Sequence, residues 1–269
     1  MGKEAVFRFS TLAERQEFYE REFSIKKVKA WFKKNKMPFP QLCAIDAGGD
    51  TGIILDKKLK GKMLYFKFSE LNNKIKKYIP EDVYYDRNYY KRPDKILKTL
   101  NFNQHAFDKH ISQELVFDID VDNVKNSRTK VQDGFEFLNT SRIGRYEDNS
   151  LSINRKVSTK NLKKAYSIVL ELKKELRKDT KFKNLKVVYS GRGFHIHVLD
   201  KRAYYLTIPE RELLNKKFSY YPIDPWVSRG FIRLIRIPYT LNSLVSRVVT
   251  PIDERKGFQP KETLPKFLT

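Results

Sequence analysis

Aspartates alternate with apolar residues in the segment ELVFDIDVD, which covers positions 114 to 122. This alternation predicts a β-strand with an apolar face, made of Leu115, Phe117, Ile119 and Val121, and an acidic face, made of Asp118, Asp120 and Asp122. Carboxylates two positions apart on a strand can share divalent cations, as in-line phosphoryl displacement requires. Oxygen ligands without soft partners suit Mg²⁺ or Mn²⁺. The alternative for an isolated D-x-D is a pair of solvated acids.

A glycine-rich turn follows in the segment YSGRGFHIHV, positions 189 to 198. Its glycines permit a tight turn and bring backbone N–H groups close to an anion. The potential phosphate-binding residues are Ser190, Gly191, Arg192, Gly193 and His195. Beside two carboxylates, this set is suited to a nucleoside triphosphate. The alternatives are a hydrolase-type metal pair of His195 and His197, and a structural turn with one core histidine.

An aspartate and three arginines form a third cluster in the segment from Asp224 to Pro238. Ser228 is expected to cap a short helix that ends before the proline. On such a helix one face carries Arg229, Arg233 and Arg236. Three like charges in a row favour a phosphate-binding ridge, and a solvated basic face is the alternative.

The chain of 269 residues is strongly basic, with 55 Lys and Arg against 32 Asp and Glu and a net charge of +23. This excess favours a polyanionic partner, whereas the Lys-rich surface of a thermophile protein usually carries nearly matching Glu. Cys43 is the only cysteine, so a disulfide within the chain and a multi-cysteine zinc site are excluded, and we expect it to be buried. Neither a signal peptide nor a membrane-length apolar run is visible, so we expect a cytoplasmic protein without membrane contact.

Periodicity and capping residues place helices and strands around these clusters. The expected helices run from Thr11 to about Lys34, over Ser69 to Tyr78, and onward from Ser158 or Thr159. The expected strands lie within Met37 to Gly52, near Val83 to Tyr85, at Leu185 to Tyr189 and at Phe194 to Leu199. Strand, helix and strand after position 114 predict an α/β layer that positions the acids and the turn.

Together the three clusters resemble the catalytic small subunit of archaeal and eukaryotic DNA primases. The shared order is D-x-D, then S-G-x-G-x-H, then a later Asp before R-x-P-x-x-L. The resemblance runs from near Phe18 to Thr269 and is faint between Lys33 and Asn101. It implies one prim-pol domain over residues 1 to 269, of mixed α/β (α+β) class, with an RRM-like catalytic sheet and a helical accessory part.

The resemblance also implies roles for single residues. The implied metal ligands are Asp118, Asp120 and Asp224, which would hold two Mg²⁺ or Mn²⁺ ions. The implied nucleotide contacts include Ser190, Arg192, His195, Arg236 and Asn242. Leu244 stands where the family has a triphosphate-binding lysine, and Arg247 is the nearby candidate to replace it. The family's Cys/His zinc knuckle has no counterpart in the variable insertion at positions 123 to 157, so no structural zinc is expected.

The implied reaction is template-directed nucleotidyl transfer, in which a 3′-hydroxyl attacks the α-phosphate of an NTP or dNTP during primer synthesis for DNA replication. The implied partners are a single-stranded DNA template and a primase large subunit, and the implied location is the nucleoid. One alternative is a non-catalytic nucleic-acid-binding module of RRM-like fold, although such a module gains nothing from three acids near phosphate. The other is a metal-dependent nuclease or phosphodiesterase, which would degrade DNA without added triphosphates.

Overall fold

The fold combines α-helices with antiparallel β-sheets. The computed structural model describes residues 7–46, 63–100, 110–125 and 157–269. The helices in these ranges are α1 (Leu12–Arg21), α2 (Ile25–Lys34), α3 (Leu71–Tyr78), α4 (Pro93–Thr99), α5 (Val121–Lys125), α6 (Thr159–Thr180), α7 (Ile208–Lys217) and α8 (Pro225–Arg229). The strands are β1 (Leu42–Asp46), β2 (Met63–Lys67), β3 (Val83–Asp86), β4 (Asn88–Tyr90), β5 (His110–Gln113), β6 (Leu115–Asp120), β7 (Leu185–Tyr189), β8 (Gly193–Val198), β9 (Leu234–Arg236), β10 (Leu241–Asn242), β11 (Arg247–Val248) and β12 (Thr250–Pro251).

A first four-stranded sheet has the order β2-β1-β3-β9, and helices α1 to α3 contribute to its apolar core. That core includes Phe18, Val28, Phe32, Cys43, Ile75 and Tyr85. Thr11 caps α1 in a capping box with Glu14, as a start at Thr11 predicts. The single helix expected to about Lys34 is wrong, because the side chain of Ser24 accepts a hydrogen bond from the Lys27 N–H and caps a second helix.

A second four-stranded sheet has the order β12-β7-β8-β6, and α6 covers one of its faces. Ser158 caps α6 by accepting a hydrogen bond from the Asn161 N–H. The shared core includes Leu115, Phe117, Ile119, Leu172, Leu176, Phe194 and Ile196. The alternation seen in the sequence is therefore confirmed, since the apolar residues of β6 and β8 face α6.

The opposite face of the second sheet is turned toward the first sheet. Val116 and Val188 lie on that face and belong to the apolar core of the first sheet. His195 and His197 share it and are only 3% and 0% exposed. The two histidines therefore lie between two packed layers, and Asp118 and Asp120 are partly exposed.

Antiparallel strands mixed with helices confirm the α+β class, whereas the prim-pol likeness of the fold stays a prediction. The helix expected over Ser69 to Tyr78 and the strand near Val83 to Tyr85 are both present, as Phe68–Glu70 with α3 and as β3. Positions 126 to 156 of the expected insertion lie outside the described residues. No described helix combines the length and the apolar character that a membrane span requires.

Candidate metal and nucleotide site

Strand register brings the acids of β6 next to the glycine-rich turn. Asp118 lies opposite His195, and Asp120 lies opposite Gly193. A Cβ on Gly193 would meet the Ile119 carbonyl oxygen at 2.2 Å and the Asp120 Cα at 2.7 Å. Only glycine allows the turn to approach β6 this closely, so the first two motifs adjoin because of their spacing and composition.

Asp224 joins the same edge of the sheet from a distant part of the chain. Its N–H donates a hydrogen bond to the Asp118 carbonyl oxygen at 2.8 Å. Its side chain caps α8 by accepting a hydrogen bond from the Trp226 N–H, also at 2.8 Å. The helix expected from Ser228 to before Pro238 is wrong, because Asp224 starts a five-residue helix and residues 234–236 form strand β9.

The acids affect one another electrostatically. Burial raises the pKa of Asp118 well above its ordinary value, and the charges of Asp120 and Asp224 raise it further. Burial also raises the pKa of Asp224; the hydrogen bond from the Trp226 N–H opposes this shift, and Asp120 adds to it. Closely spaced buried carboxylates repel each other, and a bound cation would relieve that repulsion.

The donor set suits Mg²⁺ or Mn²⁺, since it consists of carboxylate oxygens. Asp118 Oδ1 is buried, makes no hydrogen bond, and lies 3.5 Å from His195 Nε2. An unsatisfied buried carboxylate oxygen is what a cation ligand looks like in the absence of the cation. In the described part of the chain, however, no three His, Cys, Asp or Glu side chains are already arranged as a metal site. Metal binding by the three acids therefore stays a prediction.

The turn between β7 and β8 is rigidly held. Gly191 has φ +102°, a backbone conformation that favours glycine. Asn242 Nδ2 donates to the Ser190 carbonyl oxygen at 2.8 Å, and the Ser190 hydroxyl oxygen accepts from the Gly193 N–H at 3.2 Å. The structure thus places Asn242 against the turn, where it supports the backbone and leaves its own Oδ1 without a hydrogen bond.

Arg192 projects from the turn toward a carboxylate. Its Nη2 donates to Asp122 Oδ2 at 2.6 Å, and its Nε has no hydrogen-bond partner. The expected position of Asp122 on the acidic strand face is wrong, because β6 ends at Asp120 and Asp122 lies in α5. Asp122 therefore forms an ion pair with Arg192 and lies on the helix after β6, not on the strand that carries Asp118 and Asp120.

The two histidines have different environments. Burial lowers the pKa of His195 well below its ordinary value, with further contributions from His197, Arg236 and Arg87. His195 is therefore neutral near pH 7, and its buried Nδ1 has no hydrogen-bond partner. His197 Nδ1 instead lies 2.7 Å from Glu114 Oε1 and is occupied by that contact. The buried Nε2 of His197 has no hydrogen-bond partner. A carboxylate on the other ring nitrogen is common in metal-ligating histidines, so the metal pair with His195 stays an alternative to a core role.

The three arginines of the third cluster do not form the predicted ridge. Arg236 lies on β9, and its Nε and Nη2 donate to the two carboxylate oxygens of Asp82 at 2.8 and 3.1 Å. Burial alone would lower the pKa of Arg236, but Asp82 raises it well above the ordinary value. Arg233 Nε donates to buried Asp86 at 3.1 Å. Arg236 and Arg233 thus each have a buried anion, whereas the Nε of Arg229 has no hydrogen-bond partner. Arg236 still lies close enough for its charge to act on Asp118.

Arg247 and Leu244 both lie in the interior. The Arg247 guanidinium donates to the carbonyl oxygens of Val245 and Ser246 at 3.1 and 2.8 Å and stacks on Phe7, 4.2 Å from the ring centroid. Leu244 belongs to the apolar core beneath α6. The structure does not bring Arg247 together with the three acids by any of these contacts, so its part in nucleotide binding stays a prediction.

Sequence reasoning missed the buried residues that hold these groups in place. Asp82 orients Arg236, and Arg87 donates to carbonyl oxygens of three separate segments. The segment VYYDRNYY indicated an aromatic strand, and nothing local in it marks the arginine as buried. Predicting that Arg87 is buried would have required knowing that it contacts Val227, more than 100 positions later in the chain.

Comparisons with known proteins give one relationship over nearly the whole chain. No protein-family model matches. The chain is 36% identical over 279 aligned residues to an uncharacterized DNA primase small subunit-like protein of Archaeoglobus fulgidus. The alignment covers 97% of this chain and 91% of that protein. It is 28% identical to DNA primase small subunit PriS of Staphylothermus marinus and 27% identical to PriS of Pyrococcus abyssi. These two matches cover 49% and 77% of this chain but only 34% and 48% of the PriS proteins.

Proposed function

The chain belongs to the family of DNA primase small subunit-like proteins, and we propose that it is a template-directed nucleotidyltransferase that makes short RNA or DNA primers. The observation that carries the proposal is the meeting of three sequence-distant motifs at one sheet edge. Asp118 faces His195, Asp120 faces Gly193, and the Asp224 N–H is bonded to the Asp118 carbonyl. Their carboxylates and their glycine-rich turn are the residue types that metal-assisted nucleotidyl transfer requires.

In the proposed reaction a bond forms between a 3′-oxygen and the α-phosphorus of a nucleoside triphosphate, and the bond from that phosphorus to the bridging oxygen of pyrophosphate breaks. Mg²⁺ or Mn²⁺ held by Asp118, Asp120 and Asp224 would lower the pKa of the attacking hydroxyl and stabilise the departing pyrophosphate. No soft ligand set accompanies these acids, and a structural zinc is not proposed.

The turn residues would bind and orient the triphosphate. Arg192 can exchange its bond to Asp122 for a phosphate oxygen, because its guanidinium is partly exposed and retains a free Nε–H. Neutral His195 can donate a hydrogen bond to phosphate without adding charge. Gly191 and Gly193 allow close approach of the backbone, and Ser190 and Asn242 fix its shape. Arg236 would lie near the incoming nucleotide.

We propose two macromolecular partners for this activity. Single-stranded DNA as the template is supported by the net charge of +23. A larger primase subunit is supported by the names of the PriS relatives, which call them small subunits. A place at the nucleoid follows from a role in copying DNA.

The test is incorporation of labelled nucleotides on an unprimed single-stranded template with Mg²⁺ or Mn²⁺. We expect short products from the wild type and none from the Asp118→Ala, Asp120→Ala double variant. The matched control is Asp94→Ala, Asp179→Ala, which removes two acids that pair with Lys67 and Lys217 far from the site. That control should retain the products.

The same assay separates the alternatives. Degradation of labelled DNA without triphosphates that depends on Asp118 and Asp120 would instead establish a nuclease. If the protein binds DNA but incorporates no nucleotide, even when a primer and a candidate partner subunit are supplied, it is a non-catalytic binding module. In that case the double aspartate variant should bind DNA as well as, or better than, the wild type, because it carries two fewer negative charges.

A further inference from the structure

Arg87 is a fully buried arginine that neither the motifs nor the proposed chemistry uses. Its guanidinium donates to the carbonyl oxygen of Glu114 at 2.8 Å, to that of Val227 at 2.9 Å, and to that of Ile232. Its backbone accepts from the Glu114 N–H at 3.0 Å and donates to the Arg233 carbonyl at 2.9 Å. A planar fork with several donors can hold separate backbone segments at once, which a lysine cannot do with the same geometry.

The segments that Arg87 joins are the ones that carry the acids. Glu114 immediately precedes β6, which bears Asp118 and Asp120. Val227 lies in α8, and Ile232 lies in the loop after it. The N-terminal end of α8 is Asp224, whose N–H is bonded to β6. Two attachments, one at each end of α8, thus fix that helix against the strand.

Gln113, which ends β5 and directly precedes Glu114, reinforces the same attachment. Its Nε2 donates to the Gly230 carbonyl oxygen at 3.0 Å, and Gly230 ends α8 with φ +99°. A Cβ at Gly230 would meet Gln113 Oε1 at 2.1 Å. Two side chains therefore hold the C-terminal end of α8. One belongs to Arg87, which directly precedes β4, and the other belongs to Gln113, which ends β5.

We propose that Arg87 is a positioning residue that fixes Asp224 relative to Asp118 and Asp120, so that the three acids can bind a divalent cation together. This inference rests on the proposed function. The Arg87 charge is also close enough to act on Asp118, Asp224 and His195. Arg87 touches neither substrate nor metal in this account and acts only through the acids.

The test compares Mn²⁺ affinity in Arg87→Lys and in wild type, read from the electron paramagnetic resonance signal of free Mn²⁺ well below the unfolding temperature. Arg87→Lys keeps the positive charge and removes the fork, so a loss of affinity reports on position rather than on charge. We expect Mn²⁺ binding to weaken by about tenfold or more, as for outer partners of metal ligands in general.

The matched control is Arg15→Lys. Arg15 is also buried; its Nη1 donates to the Ser10 carbonyl oxygen at 3.2 Å and lies 3.5 Å from Glu81 Oε1, and neither of these residues belongs to α8, the loop after it or β6. We expect Arg15→Lys to lower the unfolding temperature but to leave Mn²⁺ affinity close to wild type. Equal Mn²⁺ affinity in Arg87→Lys and wild type, or an equal loss in both lysine variants, would overturn the inference.

Two further outcomes are decisive. If Arg87→Lys does not fold, Gln113→Ala takes its place, since it removes the second attachment of α8 without touching a charge. Weaker Mn²⁺ binding by that variant supports the inference, and unchanged binding overturns it. If the wild type itself binds no Mn²⁺, the metal site in the proposed function fails, and the inference fails with it.

Discussion

Asp118 is a partly exposed carboxylate with two acidic neighbours, and its buried Oδ1 makes no hydrogen bond. Burial and the acidic neighbours raise its pKa more than Arg236 and Arg192 lower it, so its charge destabilises the metal-free protein. Residues that are selected for function commonly carry such a cost. Removal of the Asp118 charge is therefore expected to stabilise the metal-free protein.

We predict that Asp118→Asn stabilises the protein in EDTA, by on the order of 1 kcal/mol or more in free energy of unfolding, because it removes a repelling charge. Urea titration measures the difference. Asp179→Asn is the control, since Asp179 is paired with Lys217 at 3.0 Å and should gain nothing from neutralisation. A less stable Asp118→Asn variant would show that the carboxylate makes favourable contacts in the metal-free state.

The adjacency of the acids and the glycine-rich turn could be predicted from the sequence, but the structural partners of the candidate site could not. Alternation along β6 and the two glycines place Asp118, Asp120 and the turn correctly because these signals are local. Asp82 and Arg87 carry no local signal, since Asp82 pairs with Arg236 and Arg87 donates to Val227, each more than 100 positions away. Asp122 shows a related error: alternation continues through it in the sequence, yet the strand stops at Asp120.

At the scale of elements, the approach of β8 to β6 depends on a single glycine. We predict that Gly193→Ala costs about 1–3 kcal/mol of unfolding free energy, because its Cβ would overlap the backbone of Ile119 and Asp120. It should also weaken Mn²⁺ binding, since it displaces the strand that bears the acids.

Gly257→Ala is a suitable control for that prediction. A Cβ at Gly257 would lie 3.9 Å from Tyr166, which is an ordinary van der Waals distance, so only its φ of +70° opposes the substitution. We expect some loss of stability from backbone strain and unchanged Mn²⁺ affinity. Unaltered Mn²⁺ binding in Gly193→Ala would contradict the importance of this contact.

Helix α1 gives a prediction about acid stability. The hydrogen bond from Arg8 lowers the pKa of Glu14 to about 2, against burial, which would raise it. A depressed carboxyl pKa contributes stability that is present above the ordinary value of 4.5 and is lost as the pH falls toward 2. We therefore predict that wild type is more stable than Glu14→Gln at pH 7, and that the difference shrinks between pH 4.5 and 2. A difference that stays constant over that range in urea titrations would contradict it.

The elements themselves were partly predictable. Ser24 is a capping residue within an apolar periodic run, and the periodicity hid the break between α1 and α2. Arg229, Arg233 and Arg236 have helical spacing, yet residues 234–236 form β9 because Tyr84 and Tyr85 of β3 offer an antiparallel partner. Tertiary pairing decided that segment, and a single sequence does not show it.

At the scale of the whole molecule, the net charge can be predicted from the sequence, but the packing of the two sheets against each other cannot. The net charge of +23 follows from counting, whereas the stacking of one sheet against the other depends on contacts such as Val116 and Val188 with the first core. The histidines of β8 are buried for that reason, and the acids are partly exposed. Alternation along β6 alone also allowed an exposed acidic face.

The charge leads to a prediction about DNA binding. We expect affinity for single-stranded DNA to fall by more than about tenfold between 50 and 200 mM salt, as when about three or more phosphates are neutralised. Fluorescence anisotropy across salt concentrations measures the slope. The Asp118→Ala, Asp120→Ala variant should show the same slope. Affinity that is independent of salt would contradict an electrostatic contact with the template.

The most direct measurement offers each labelled nucleotide separately on a homopolymeric single-stranded DNA template, with Mg²⁺ or Mn²⁺ present. We predict that only the complementary nucleotide is joined, that pyrophosphate is released in equal amount, and that the Asp118→Ala, Asp120→Ala variant joins none. Incorporation that ignores the template, or that survives loss of both aspartates, would contradict the assignment of a template-directed nucleotidyltransferase with its metal site at Asp118, Asp120 and Asp224.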